Sequence, residues 1–192
     1  MDKFFKLNEL ENNPPPSLKE TINSVPDGLF KSEFLDFINE FPNALERACL
    51  EGHLTGSALV VRQHDKQILL MFHTKLQKWL QPGGHADGDA CLMRVALKEA
   101  VEETGIQELK ILDTPIDLDI HTVEPPGEGK HEHFDVRYLV VAAKDSIPVG
   151  NHESQELRWF SSKDLKKIDV DKGLLRMVNR GLEVLAAFDN DL

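Results

Sequence analysis

The stretch "GGHADGDACLMRVALKEAVEETGI", residues 83–106, joins a glycine-rich loop to a segment whose apolar residues have helical spacing. In a helix of about 3.6 residues per turn, residues three or four positions apart lie on one face. Glu99, Glu102 and Glu103 therefore crowd one strip of this helix. Like charges repel there, so the arrangement becomes favourable when a cation lies between the carboxylates. A solvated acidic face is the alternative interpretation.

The same stretch carries signals for both ends of the helix. Asp89 is a residue type that caps helix N-termini, Gly88 permits the turn before it, and Gly105 suits a C-terminal stop. We predict a helix of about four turns that buries an apolar face and directs its glutamates to a cleft or to solvent. Hard oxygen ligands on a rigid element suit Mg²⁺ or Mn²⁺, which bridge to substrate phosphates.

Composition narrows the class of protein. The chain has 192 residues, enough for one domain with a small appendage. Its net charge of −11 disfavours binding to a nucleic-acid polymer, which needs a basic surface. No apolar run approaches a membrane span, and the start lacks an apolar signal segment, so we expect a cytoplasmic protein that does not enter membranes. Cys49 and Cys91 are expected to be reduced core residues.

An appendage precedes the glycine-rich loop. The prolines of "NNPPPS", residues 12–17, separate a tail from the segments that follow. We predict one helix in "SEFLDFINEF", residues 32–41, and a second in "PNALERACLEG", residues 42–52, starting at its proline. Residues 1–52 are expected to form a tail and helical appendage that covers either the site or a homodimer interface, and residues 53–192 the main domain.

The main domain alternates strand and helix patterns. We predict strands in "LTGSALVVR" (54–62), "QILLMFH" (67–73), "HEHFDVRYLVVAAK" (131–144) and "ELRWF" (156–160), and a C-terminal helix in "DKGLLRMVNRGLEVLAAF" (171–188). The glycine-rich loop and its helix follow the second strand.

Residues 84–106 resemble the Nudix box, whose pattern is Gly, five residues, Glu, seven residues, then Arg-Glu-hydrophobic-any-Glu-Glu-any-Gly-hydrophobic. The matching residues are Gly84, Glu99, Ala100, Glu102, Glu103, Gly105 and Ile106. Ala90 replaces the first glutamate of the pattern, and Lys98 replaces its arginine. In the family these two positions usually form an ion pair, so their joint change indicates a lost brace rather than lost metal ligands. Asp87 or Asp89 could replace the missing glutamate by a shift in the loop.

The resemblance extends over residues 54–170 through "WLQPGG" and "ELRWFSSKDL". It implies an α/β fold, a Nudix-type α/β/α sandwich around a mixed β-sheet. It also implies hydrolysis of the pyrophosphate bond in a nucleoside diphosphate linked to another moiety, with Mg²⁺ or Mn²⁺ as cofactor and a small phosphorylated substrate. The alternative is a Nudix-fold nucleotide-binding or regulatory module without turnover.

The resemblance also implies roles for individual carboxylates. Glu99, Glu102 and Glu103 would hold the metal, and the last two would belong to the catalytic group. Family precedent places the general base on this helix or in a downstream loop, which makes Glu153 and Glu156 in "NHESQELRW" candidates. We favour Glu153, because Glu156 runs into the following strand.

Four further residues are candidates for substrate binding. Gly83 and Gly84 allow the backbone to approach a phosphate, since glycine has no side chain to obstruct it. His85 beside them would stabilise the loop or contact substrate. Arg137 lies inside a predicted strand, where it could hold a phosphate or pair with an acid.

His131 and His133 share one side of a predicted strand because side chains alternate with a period of two. A metal-binding pair is conceivable, but no third soft ligand with suitable spacing accompanies them in the sequence. We therefore expect His133 to contact substrate phosphate.

Overall fold

A mixed sheet crosses the centre of the fold in the computed structural model, which describes residues 4–11, 15–25, 30–124, 129–152 and 154–190. Its strands in the described ranges are β1 (Phe4–Phe5), β2 (Gly52–Arg62), β3 (Gln67–His73), β4 (Trp79–Leu80), β5 (Gly83–His85), β6 (Lys110–Leu112), β7 (Asp117–Val123), β8 (His131–Ala142) and β9 (Ser154–Phe160). The helices are α1 (Leu7–Leu10), α2 (Leu18–Ser24), α3 (Lys31–Glu40), α4 (Leu92–Thr104), α5 (Ser162–Leu165) and α6 (Lys172–Asn190).

The parallel pair β2 and β8 forms the centre of the sheet. The two strands are in register from Gly52 opposite Glu132 to Arg62 opposite Ala142. Strand β8 also pairs with β6 and β7, and β2 pairs with β3 and β5. Both strands are buried over most of their length, as expected for parallel strands with helices on both faces.

Two apolar cores lie on opposite faces of this sheet. Leu54, Ala58 and Val60 of β2 contribute to a core shared with α2, α3 and α4. Leu59 and Val61 contribute to a second core, shared with α5 and α6. Because side chains alternate along a strand, the residues at positions 53, 55 and 57 lie on the same face as this second core. This arrangement confirms the predicted α/β/α sandwich.

Helix α4 packs closely across β2. A Cβ atom at Gly56 would lie only 2.7 Å from the carbonyl oxygen of Leu92, so the contact requires glycine. The helix buries Leu92, Ala96 and Ala100 against the sheet. This contact holds the glutamate-bearing end of α4 at a fixed place beside the sheet.

The predicted strands are confirmed as β2, β3, β8 and β9, and the predicted C-terminal helix is confirmed as α6. The helix predicted at 32–41 is confirmed as α3 (Lys31–Glu40). Cys49 and Cys91 are free and buried, as expected. No helix in the described ranges has the length and apolar character needed to cross a membrane.

The second predicted helix, starting at Pro42, is wrong. Residues 42–48 form consecutive turns and bends, with Ala44 N–H donating to Phe41 O and Cys49 N–H to Glu46 O. Ala44 O accepts from Leu54 N–H, and Leu45 O accepts from Gly88 N–H. These carbonyl groups therefore bind the sheet and the glycine-rich loop instead of forming helical hydrogen bonds.

The appendage shares the core of the main domain. Ile22 and Phe34 are fully buried in the core beneath α4, and Phe37 stacks on Phe134 of β8 with ring centroids 3.8 Å apart. Strand β1 pairs with β6. Division of the chain at residue 52 stays a prediction.

Candidate functional site

The glycine-rich strand β5 pairs with β2 in the sheet and lies against two glutamates of α4. Gly83 N–H donates to Glu103 Oε2 at 3.0 Å. A Cβ atom at Gly84 would lie 2.6 Å from Glu99 Cδ, so this carboxylate rests against the bare backbone. Both glutamates are therefore held at the same two-glycine segment, which pairs with Ser57 and Gly56 of β2.

The third glutamate has a different environment. The side chain of Glu102 is 54% exposed, and one of its oxygens lies 3.8 Å from Lys98 Nζ. Glu103 is only 3% exposed, which differs from the expectation that all three carboxylates face a cleft or solvent. The hydrogen bond from Gly83 compensates part of the cost of burying Glu103.

By ligand type, the carboxylates of these three glutamates suit a hard divalent cation. Carboxylate oxygen atoms are the ligands that Mg²⁺ and Mn²⁺ prefer. Glu99 and Glu103 would supply them from the buried side of the helix strip, and Glu102 from the solvent side. A buried carboxylate such as Glu103 also gains most from a nearby positive charge.

An ion pair joins the glycine-rich loop to the first turn of α4. It lies close in the sequence to Ala90 and Lys98, the two residues that depart from the Nudix-box pattern. Arg94 donates from Nε to Asp89 Oδ2 at 2.8 Å and from Nη2 to Asp89 Oδ1 at 2.6 Å. Asp89 also accepts from Cys91 N–H at 2.8 Å, and Cys91, not Asp89, is the N-cap of α4. The predicted helix start was wrong because Asp89 closes a turn before the helix. Gly105, with a φ of 69°, ends it as predicted.

The other candidate for the brace, Asp87, has a different partner. It accepts two hydrogen bonds from Arg47 of the turn segment, at 2.7 and 2.8 Å. This contact lowers the pKa of Asp87. It joins the glycine-rich loop to the appendage.

Arg137 lies in a buried ion-pair network on the α6 side of the sheet. It is 2% exposed and donates to Asp135 at 2.7 Å and to Asp119 at 2.9 Å. Asp135 also accepts from Thr55 and Ser57 of β2. The sequence left two interpretations of Arg137, phosphate binding and pairing with an acid. Its contacts in the structure are with acids.

Of the two candidates for the general base, only Glu156 lies within the residues that the structure describes. Glu153 lies outside the described residues. Glu156 is on the exposed side of β9, and its carboxylate accepts two hydrogen bonds from Arg158, at 2.8 and 2.5 Å.

Imidazole rings gather on the α6 side of the sheet, where β2, β5, β7 and β8 lie side by side. They belong to His53, His85, His121, His131 and His133. The ring of His53 lies 4.7 Å from that of His131, 5.0 Å from that of His133 and 4.8 Å from that of His85, between centroids. The cluster brings His85 and His133, both predicted to bind substrate, next to each other.

Burial and the neighbouring rings lower the pKa of two histidines in this cluster. Burial, with the surrounding imidazoles, lowers the pKa of His133 to about 2. Burial also lowers the pKa of His53, and His131 adds to the effect. His121 is the exception: its hydrogen bond to Asp119 raises its pKa although burial opposes the change.

His53 was absent from the sequence-based site. Its place in the cluster follows from the parallel register that sets it opposite His133, some 80 residues away in the chain. No local spacing in the sequence signals that register.

Comparisons with known proteins agree with this architecture. A family model described as the NUDIX domain matches residues 52–180. A curated relative from Lactococcus lactis subsp. cremoris, a probable DHNTP pyrophosphohydrolase, is 34% identical over 90 residues, covering 45% of this chain and 52% of that protein. The match thus spans about half the length of the curated relative.

Solved structures show the same fold. An Ap4A hydrolase from C. elegans, crystallised as a binary complex, is 20% identical with a TM-score of 0.58, over 70% of this chain and 98% of that one. The NUDIX domain of Shewanella oneidensis NrtR, crystallised with ADP ribose, is 18% identical with a TM-score of 0.52, over 79% and 97%. The family match covers the sheet, the glycine-rich strand and the glutamate helix, and the chain belongs to the NUDIX domain family.

Proposed function

We propose that this protein hydrolyses the pyrophosphate bond of a nucleoside diphosphate linked to another moiety, using Mg²⁺ or Mn²⁺. The observation that carries the proposal is the position of Glu99 and Glu103 against the backbone of Gly83 and Gly84. Hard oxygen donors beside an unobstructed glycine backbone suit a metal-bridged phosphate. The curated relative is named as a pyrophosphohydrolase, which supports the same reaction class.

The chemistry needs positive charge because the oxygens of a diphosphate already carry negative charge. A divalent cation bound by Glu99, Glu102 and Glu103 would neutralise the charge that develops on the phosphate and make a bound water more acidic. Glu103 is held in place by Gly83 N–H, so its orientation is set before substrate arrives. Glu102 is largely exposed and faces solvent.

We assign the general base to Glu153. In the sequence it follows residues 149–151, which contact α4, and precedes strand β9. Val149 N–H donates to Thr104 O, and the side-chain amide of Asn151 donates to Glu102 O. These contacts bring the chain next to Glu153 up to the glutamate end of α4. A carboxylate is a group that can accept a proton from the attacking water, and Glu153 is the carboxylate that follows these residues in the sequence.

The substrate-binding group in this proposal consists of Gly83, Gly84, His85, His133 and Arg137. The first three lie in β5, directly beside the glutamates. His133 lies beside His85 on the α6 side of the sheet, with ring centroids 4.9 Å apart. Arg137 would act indirectly, because it holds the carboxylates of Asp135 and Asp119 in place.

The Asp89–Arg94 pair favours turnover over a pure binding module. The departures at Ala90 and Lys98 raised the second interpretation, because they remove the brace that the family uses. A bidentate pair between the loop and the first turn of α4 supplies a comparable constraint from neighbouring positions. The loop can therefore be fixed without the two missing residues.

A substrate panel tests the proposal. Purified protein is incubated with DHNTP, Ap4A, ADP ribose and nucleotide sugars, with Mg²⁺ or Mn²⁺ and with EDTA, and the products are separated by chromatography. We expect cleavage at a pyrophosphate bond for at least one compound, abolished by EDTA. Tight binding of a nucleotide without cleavage under any metal condition would instead support the binding module.

A further inference from the structure

We propose that His53, His131 and His133 form a binding site for a transition-metal ion, with Zn²⁺ as the best fit, separate from the glutamates of α4. One ring nitrogen from each of the three lies within 4.8 Å of the other two. This site goes beyond the proposed hydrolysis and uses a different class of ligand atom.

Strand pairing brings the three imidazoles together. His53 of β2 lies opposite His133 of β8 in the parallel register. His131 and His133 project from the same side of β8, because residues two apart share a face. The anchors of all three side chains are therefore fixed by continuous backbone hydrogen bonding, which gives a rigid frame for a metal site.

Four of the six ring nitrogens of these residues are buried without a protein hydrogen-bond partner. Both nitrogens of His53, together with Nε2 of His131 and Nε2 of His133, are buried without a hydrogen bond. His53 is 2% exposed and His131 is 9% exposed. Buried polar atoms in folded proteins almost always have a partner, so several orphaned lone pairs at one point indicate a bound ligand such as an ion.

A backbone carbonyl sets the orientation of one ligand. Nδ1 of His131 lies 2.7 Å from the carbonyl oxygen of Gly129. A carbonyl can only accept, so Nδ1 carries the proton and Nε2 presents its lone pair to the cluster. A metal-bound histidine usually has such an acceptor on its second nitrogen.

The geometry requires small side-chain movement. In a tetrahedral zinc site with Zn–N bonds of about 2.0–2.1 Å, ligand nitrogens lie about 3.3 Å apart. The ring nitrogens now lie within 4.8 Å of one another. Rotation of the rings about their side-chain torsions would bring them to the tetrahedral distance without movement of the strands. Three histidines would leave the fourth position for a water molecule.

The neighbouring histidines have other roles. His121 Nδ1 is 3.1 Å from Asp119 Oδ2, which ties it to the ion-pair network. His85 follows Gly84 directly in β5 and lies beside both His53 and His133. Consecutive residues of a strand point to opposite faces, so Gly84 faces Glu99 while His85 faces the histidines, and the sheet separates the two sites.

Ligand chemistry distinguishes the two sites. Imidazole nitrogen suits Zn²⁺ and other transition metals, whereas carboxylate oxygen suits Mg²⁺ and Mn²⁺.

Zinc titration tests the site. Full-length protein made without a histidine tag is stripped with a chelator, desalted and titrated with Zn²⁺ against a colorimetric competitor, in excess Mg²⁺ to occupy the carboxylates. We expect about one Zn²⁺ per chain, and, with Co²⁺ as a probe, visible absorption of a four-coordinate nitrogen site. His53→Gln and His131→Gln should each raise the Kd for Zn²⁺ by about 100-fold or more.

Two controls separate ligand loss from misfolding and from the proposed hydrolysis. His64→Gln removes an exposed histidine that lies beside Asp65 and should leave the Kd unchanged. Zn²⁺ should raise the Tm of the wild type but not that of His53→Phe, which retains a bulky ring and is checked by circular dichroism. Glu103→Gln should bind Zn²⁺ normally even if it loses hydrolysis. Equal Zn²⁺ affinity in the wild type and both glutamine variants would overturn the site.

Discussion

Carboxylate environment differs sharply among the three glutamates of the Nudix box. Glu103 is buried and hydrogen-bonded to Gly83, Glu99 rests on Gly84, and Glu102 is largely exposed. Removing a charge from a dry site changes local electrostatics more than removing one from a surface, because water screens the exposed group. We therefore expect Glu103 to be the most sensitive member of the set.

At this scale we also predict the identity of the general base. Glu153→Gln should lower kcat by about 100-fold or more with little change in KM, the range expected when a general base is lost. Glu156→Gln should have a much smaller effect, because Glu156 is paired with Arg158 on an exposed strand. Steady-state kinetics of both variants on the best substrate of the panel measure this. If the two effects are reversed, the assignment of the loop is wrong.

Helix α4 and the loop before it form the element that positions the site. The helix is fixed on one side by its packing on Gly56 and at its start by the Asp89–Arg94 pair. Arg47 and Asp87 join the loop to the appendage. The orientation of the glutamates thus depends on contacts from three separate parts of the chain.

The Asp89–Arg94 contact can be tested by changing its geometry. Arg94→Lys keeps the charge but loses the bidentate hydrogen bonds, and we expect it to lower stability by about 1 kcal/mol. It should also raise the Mg²⁺ concentration needed for half-maximal hydrolysis, since the loop is less well fixed. Lys163→Arg, at an exposed position of α5 away from the glutamates, is the control. Thermal melts and Mg²⁺ titrations in which the two variants behave alike would show that the pair does not act as a brace.

Local sequence patterns predicted the elements that local forces decide. The alternating or continuous apolar runs of β2, β3 and β8 and the C-terminal stop at Gly105 all follow from the residues themselves. The segment at 42–52 has helical spacing, but long-range hydrogen bonds to Leu54 and Gly88 override it. Asp89 likewise has cap chemistry but closes the preceding turn.

The same contrast between local patterns and long-range contacts applies to the candidate site. The spacing of the box predicted the shared strip of glutamates, which lie within one helix. It could not predict that Gly83 would hold Glu103, or that His53 would meet His131 and His133, since both depend on how distant strands pair. Strand β7, which adds His121 and Asp119, was also missed, although residues 117–121, "DLDIH", alternate polar and apolar side chains as strands do.

Across the whole molecule, a buried network of charges joins the sheet to the C-terminal helix. Arg176 and Arg180 of α6 bind Asp117 of β7, and Arg176 also binds Asp119 at 2.6 Å. Arg137 of β8 contacts both aspartates. Burial raises the pKa of Asp119, but His121 and the arginines outweigh it and hold that pKa below its ordinary value of 3.8.

This network predicts acid sensitivity. A carboxylate with a lowered folded-state pKa contributes stability that is present above the unfolded pKa, near 3.8, and is lost as the pH falls below it. Asp119→Asn should therefore lower the Tm at pH 7 by on the order of 5 °C or more, and the difference from wild type should shrink below about pH 4. Melts are recorded in EDTA, with exposed Asp169→Asn as the control. A difference that stays constant from neutral to acidic pH would contradict this role.

The most direct measurement of the central claim is hydrolysis by Glu103→Gln across a Mg²⁺ titration. Glutamine keeps an oxygen that can accept from Gly83 N–H, so the variant removes the charge while preserving the local hydrogen bond. Glu108→Gln, which changes a glutamate paired with Lys6 at the surface, is the control. We predict a loss of about 100-fold or more in kcat/KM for Glu103→Gln alone, with an unchanged circular dichroism spectrum. Activity within about twofold of wild type at every Mg²⁺ concentration would contradict the assignment of these glutamates as the metal-dependent catalytic site.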